Sequence, residues 1–361
     1  MLSIFIPQET LEDIVIDNMA STMEVEEQDT WFKIFTKQEF VYVSSWEEKD
    51  YLTQEDPLFL LSDSYGVEIR YATEYMEAIP ERPESVLDYW NGIFLLDISE
   101  EDAARIQKDY GVICQSVNHL DASVLIDPGL KFSPNKGDAD YSWHFMLEKI
   151  NGEHIPSNHL MLIDRYLFPN VKEMERSLDN VFAVMDAMLP LHALKCPYKI
   201  TIVYAQQKDG ESVGLSQVAH EVYDLVSGLD RPYPINVEVI YLTPQSALYK
   251  PFHNRRILTN YTITELEYKV NAFDDDDNST CLQTIDVQGL FSSNGLNGYC
   301  DSPHKNHDDM MSLFYKNLVW WVWNYLTSES SYAFNGKKMY INKKYEVRKN
   351  GKISVLFEKR C

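Results

Sequence analysis

The feature that most constrains this chain is a series of apolar, strand-like segments, separated by stretches of helical periodicity, between residues 157 and 263. His159-Leu-Met-Leu-Ile163 has the pattern of a buried strand, and Tyr198-Lys-Ile-Thr-Ile-Val-Tyr204 and Val237-Glu-Val-Ile-Tyr-Leu242 repeat it. Between the first two, Leu178, Val181, Phe182, Met185, Met188 and Leu189 recur mostly three and four apart and stop at Pro190. That spacing places apolar side chains on one face of a helix, and proline ends it. Val218, Val222, Leu225, Val226 and Leu229 form a second such face, ending near Gly228. A fourth strand is read over residues 256–263. Helical crossovers return the chain to begin each strand in the same direction, so the pattern predicts a mainly parallel sheet with helices on both faces. Ligands of such sheets gather outside the carboxyl ends of the strands.

The segments on either side are less regular. Residues 1–135 read as an α+β region, with strand character in Trp31-Phe-Lys-Ile-Phe35, Phe40-Val-Tyr-Val43 and Ile93-Phe-Leu-Leu-Asp-Ile98. Ser99-Glu-Glu-Asp102 supplies a cap and an acidic first turn for a helix ending before Gly111, and Val112-Ile-Cys114 returns as a strand. No catalytic signature stands out there. A polar connector over 133–140 marks the boundary, followed by an α/β domain over 150–330 and a basic C-terminal hairpin over 331–361. The hairpin is read from Asn350-Gly351 between two alternating runs. A buried helix is expected over 308–326.

Composition narrows the functional classes. The formal charge of −24 disfavours long-range attraction to nucleic acid or to an anionic membrane. From Gly336 onward, however, nine basic residues face two acidic ones, so the tail carries +7 and the remainder −31. Such asymmetry suits self-association, a basic partner or a local phosphate patch. No apolar run is long enough to span a bilayer, and the start of the chain lacks a basic, cleavable leader, so a cytoplasmic location without membrane contact is expected. Cys114, Cys196, Cys281, Cys300 and Cys361 are scattered and odd in number, which reads as reduced thiols.

One segment carries a resemblance. Phe252-His-Asn-Arg-Arg-Ile-Leu-Thr-Asn-Tyr261 follows the third strand, and it resembles the H-x-K-x4-D signature of the phospholipase D-like superfamily. His253 stands for the histidine, Arg255 for the lysine and Asn260 for the aspartate. The resemblance spans residues 157–273 and implies the parallel α/β fold described above. In that family the histidine attacks a phosphodiester and the lysine holds its oxygens, while a second motif copy supplies the proton donor. Arg255 suits bidentate phosphate contacts. Asn260 cannot stabilise a charged histidine as a carboxylate would, and only one motif copy is evident. The resemblance therefore implies a pseudoenzyme binding a phosphate ligand or nucleic acid, in a bacterial defence or mobile-element setting. The alternatives are an active phosphodiesterase using His253 across a homodimer, and a non-catalytic assembly protein.

Asp164-Arg165-Tyr166 lies just past the first strand, at the sheet edge expected to hold His253, so Asp164 and Arg165 join Arg255 and Asn260 as candidate ligand-binding residues. His304, His307, Asp308 and Asp309 have metal-ligand chemistry, but Asp308 also suits a helix cap. Asp274 to Asp277 lacks the alternation and glycine of a calcium loop. No metal or cofactor is expected. Trp320, Trp321 and Trp323 read as core or as a dimer face.

Overall fold

The computed structural model describes residues 3–18, 29–36, 38, 40–46, 53–90, 92–126, 130–132, 142–205, 213–242, 255–266, 270, 285–289, 330–334, 337–341 and 352–358. The chain divides into two compact units, residues 1–125 and 126–361. His253, Asp274 to Asp277, His304, His307, Asp308, Asp309, the tryptophan cluster, the helix expected over 308–326 and Asn350-Gly351 lie outside the described residues.

The first unit runs β1 (Ile4–Pro7), α1 (Gln8–Asn18), α2 (Thr30–Phe35), β2 (Phe40–Ser44), α3 (Pro57–Tyr65), β3 (Glu68–Tyr71), α4 (Thr73–Ala78), β4 (Ile93–Leu96), α5 (Glu100–Tyr110), β5 (Ile113–Ser116) and α6 (Ser123–Ile126), the last reaching the boundary. Its five strands form one sheet in the order β3-β2-β1-β4-β5. Every pairing is parallel. The region read as irregular α+β is therefore a parallel α/β layer. Its strands are only four or five residues long, too short to show a clear period in sequence.

Aromatic packing holds the middle of this sheet. Phe5 pairs in register with Tyr42 on one side and Phe94 on the other. Its ring stacks on both, with centroids 4.7 and 5.0 Å apart. Such cross-strand aromatic pairs stabilise a sheet beyond the area they bury. Gly92 keeps the entry to β4 open, because a Cβ there would lie 2.7 Å from the Phe94 ring.

Two helices show how local chemistry decides element type. Ser99 Oγ accepts the N–H of Asp102, and Gly111 ends α5 in a left-handed conformation at φ 63°, as the sequence led one to expect. Trp31-Phe-Lys-Ile-Phe35, expected as strand, is the helix α2. Asp29 Oδ1 accepts from Trp31 N at 2.7 Å and Phe32 N at 3.4 Å. Trp31, Phe32, Ile34 and Phe35 are all buried. The cap and this burial outweigh the strand propensity of the side chains.

The second unit contains β6 (Leu130–Phe132), α7 (Trp143–Leu147), β7 (His159–Ile163), α8 (Met174–Met188), β8 (Tyr198–Ala205), α9 (Leu215–Gly228), β9 (Ile235–Leu242), β10 (Arg255–Thr259), β11 (Thr262–Leu266), β12 (Ile285–Gly289), β13 (Ser330–Phe334), β14 (Lys337–Ile341) and β15 (Lys352–Glu358). They build one ten-stranded sheet, ordered β13-β14-β15-β9-β8-β7-β10-β11-β12-β6. The three strands joined by α8 and α9 are parallel neighbours, as the crossover pattern requires.

Three expectations are corrected here. The sheet is mixed rather than mainly parallel, because every pairing outside β7-β8-β9 is antiparallel. Residues 256–263, read as one strand, are the antiparallel pair β10 and β11, joined by a turn at Asn260 and Tyr261. Thr259 Oγ1 accepts the N–H of Thr262 at 3.1 Å and of Tyr261 at 3.3 Å, which closes that turn. Among the described helices, α7 packs on α8 and α8 on α9, a single helical layer rather than one on each face. The basic C-terminal strands are part of this sheet, since β15 pairs with β9 over its whole length.

Candidate functional site

The end of β7 gathers three of the residues singled out by the sequence. The antiparallel register sets Arg256 opposite Ile163, which brings Arg255 alongside Asp164. Asp164 is fully buried. Its Oδ1 accepts the Tyr166 N–H at 2.8 Å, and its Oδ2 accepts the Val270 N–H at 2.9 Å. Arg255 Nε lies 3.7 Å from the same carboxylate. A buried carboxylate needs such partners, since unpaired charge is costly in a low dielectric.

Tyr166 is the meeting point of two cations. The Arg255 guanidinium carbon is 5.3 Å from the centre of the tyrosine ring, and that of Arg165 is 5.6 Å from it. Both distances fall within cation–π range. Two guanidinium groups converging on one aromatic ring, with Asp164 holding Arg255 from behind, form a positively charged platform. Planar donors of this kind match phosphate oxygens, and an aromatic face accepts a stacked ring.

Asn260 is not part of that group. It sits at the far end of β10, about five residues and therefore roughly 16 Å of strand away from Arg255. Its Oδ1 accepts the N–H groups of Asn158 and His159, both at 3.1 Å, and its Nδ2 donates to Asn158 Oδ1 at 2.9 Å. The side chain is buried. Asn260 fastens the β10–β11 turn to the start of β7, a packing role that a sequence motif cannot reveal.

His159, beside Asn260, is fully buried with its Nε2 3.1 Å from Thr201 Oγ1. Burial, reinforced by the nearby Lys199 charge, pushes its pKa well below the ordinary histidine value, so the ring is neutral at physiological pH. The two buried cysteines are similarly quiet. Burial raises the Cys114 thiol to about 12 and the Cys196 thiol to about 11, far from the thiolate that a nucleophile needs.

The first unit contains a cavity that the sequence analysis did not anticipate. Because its strands are all parallel, their carboxyl ends share one edge, and the order reverses between β1 and β4. At that reversal the connections diverge to opposite sides and leave a crevice. It measures about 610 Å³, within the range of small-molecule sites. The β1–α1 junction, the end of β2, α4 and the end of β4 supply its walls. Glu9, Glu12, Glu77 and Asp97 line it, and no lysine, arginine or histidine does among the described residues. The available signal was Asp97 directly after the apolar run 93–96 and Gln8-Glu9 directly after β1. Both are strand-end positions, visible only once the strands are known to be parallel.

Among the described residues, no group of three or more His, Cys, Asp or Glu side chains is placed to hold a metal ion. No described helix is long and apolar enough to cross a membrane. Comparison with family models, curated proteins and solved structures found no match to this chain. The likeness to the phospholipase D-like superfamily thus rests on His253, Arg255, Asn260 and the order of elements before them.

Proposed function

We propose that the second unit binds a phosphate-bearing ligand, a nucleotide or a nucleic-acid strand, without hydrolysing it. The observation that carries this reading is the convergence of Arg165 and Arg255 on the Tyr166 ring at the carboxyl end of β7. The guanidinium groups supply bidentate donors to phosphate, and the ring supplies a surface for a base. Asn260 supports the non-hydrolytic part. Its amide is hydrogen-bonded to the start of β7 and is remote from Arg255, so it does not orient a nucleophile beside that cation. The resemblance further implies a homodimer, which light scattering of the full chain tests directly.

The experiment is equilibrium binding of pyrophosphate and of a short single-stranded oligonucleotide to the full chain. Binding should saturate, weaken as salt rises, and fall roughly ten- to hundredfold in Arg165→Ala, the loss of one charge-assisted contact worth about 1.5–3 kcal/mol. Arg255→Lys, which keeps the charge beside Asp164 but removes the planar fork, should weaken it as well. Sustained phosphodiester turnover that disappears in His253→Ala would establish the hydrolytic alternative instead.

A further inference from the structure

The charge of this chain is divided unevenly between its units. Residues 1–125 hold 27 acidic and seven basic side chains and so carry −20, which leaves −4 of the total −24 for residues 126–361. We propose, on the basis of phosphate binding at Arg165 and Arg255, that their ligand is a free nucleotide held by its terminal phosphate, and that the acidic first unit keeps long nucleic-acid strands away.

The platform has room for one nucleotide. Arg165, Tyr166 and Arg255 are half-buried, so all three remain reachable from solvent. Both guanidinium carbons lie within 5.6 Å of the centre of the single Tyr166 ring. A terminal phosphate offers three free oxygens to two such forks, and an internal linkage of a strand offers fewer. Proteins that hold strands set successive aromatic rings along a basic groove, one base to a ring. Here the neighbouring rings are used in packing. Phe168 and Tyr204 are each 1% exposed and meet edge to face at 5.2 Å. Tyr241, two strands from β7, leans on Tyr204 at 5.0 Å. Among the described residues of this unit, Tyr166 is the only ring within cation–π distance of a guanidinium group.

Charge sets the second limit. A unit at −20 acts on a polyanion through solvent, without contact, over a screening length of about 30 Å at 0.01 M salt and about 8 Å at 0.15 M. Glu74, Glu77, Glu81 and Glu84 contribute to it from exposed positions on α4 and just after it. The repulsion is summed over every phosphate of a strand. A nucleotide brings only a few charges, gathered where the two guanidinium groups neutralise them. Strand-binding proteins gain affinity with each phosphate they contact and lose it steeply as salt rises. A strand offered to this platform gains few contacts and meets the repulsion of the whole first unit, so salt relieves part of its disadvantage.

The test is equilibrium binding of the full chain, across a salt series, to ADP, to pyrophosphate and to oligodeoxyadenylates of about four and about twenty nucleotides without terminal phosphates. ADP binding should saturate and should weaken about tenfold or more in Arg165→Ala. Affinity per nucleotide should fall with strand length, to about a tenth of the ADP value or less for the longer strand. That gap should narrow as salt rises. Joint replacement by Glu74→Gln, Glu77→Gln, Glu81→Gln and Glu84→Gln should raise long-strand affinity several-fold at low salt and change ADP affinity far less. If that variant does not fold, the length and salt series on the parent protein carries the test. Affinity per nucleotide that climbs with length, with an ever steeper salt dependence, overturns the proposal in favour of strand binding. Unaltered long-strand affinity in the folded variant overturns it as well. Binding of pyrophosphate without ADP overturns it and leaves phosphate binding intact, whereas binding of neither removes phosphate binding itself.

Discussion

The two units of this chain use the same ingredients, short apolar strands and amphipathic helices, yet place their polar residues differently. In residues 1–125 every strand runs in one direction. Polar residues that follow a strand, such as Gln8 and Asp97, therefore collect at one edge. In residues 126–361 only the strands joined by α8 and α9 are parallel. Beyond them the chain reverses, and residues five apart on β10 are sent to opposite ends of the sheet. Arg255 faces Asp164 while Asn260 fastens the other end. Strand direction, more than residue type, thus decides which polar groups meet. The outcome is an acidic crevice in one unit and a cationic platform on a buried carboxylate in the other.

This comparison makes the second unit the one that depends on buried polar contacts, and the sharpest way to break it is at Asp164. Replacing Asp164 with alanine removes the acceptor of two backbone N–H groups and the counter-charge of Arg255. Loss of one partner of a buried ion pair should cost about 3–5 kcal/mol, read by chemical denaturation. A cost near zero would mean that the platform is not anchored as described.

Asn260→Ala is the next largest. It leaves the N–H groups of Asn158 and His159 buried without their acceptor, at about 2–3 kcal/mol. If Asn260 instead served the ligand, this variant would lose phosphate binding while keeping its stability, the opposite of what is expected.

The smallest effect is a pH dependence. Burial holds the folded pKa of His159 below its unfolded value, so between the two the unfolded chain binds more protons. Stability from this group is fully present above the ordinary histidine pKa of about 6.5. It falls as pH drops below that value, by at most about 1.4 kcal/mol per pH unit. His159→Gln, which retains a polar contact to Thr201, should flatten the slope of thermal midpoint against pH between neutrality and mild acid. An identical slope in the variant would assign the effect elsewhere.

How much of this was legible in the sequence follows from the range over which each signal acts. The helices α8 and α9 and the strands β7, β8 and β9 were readable because their apolar periods run for many residues. The cap at Ser99 and the stop at Gly111 were readable because capping is local. The parallel order of β1 to β5 was not, since four-residue strands carry no period. Trp31 to Phe35 misled because strand propensity is weak against a cap at Asp29 and the burial of four side chains. The β10–β11 reversal was hidden because Thr259 and Asn260 act through the turn geometry and through Asn158, about a hundred residues earlier in the chain. The grouping of Arg165, Arg255 and Asp164 was legible because all three flank strand ends already recognised. The crevice was missed because Gln8 and Asp97 become neighbours only through the strand order of the first unit.

The account stands most directly on titration of the full chain with pyrophosphate, run in parallel on Arg165→Ala and Gln8→Leu. The expected result is saturable, salt-sensitive binding to the parent protein, an affinity lowered roughly ten- to hundredfold in Arg165→Ala, and parental affinity in Gln8→Leu. Parental affinity in a folded Arg165→Ala, or no saturable binding to the parent protein, would contradict it.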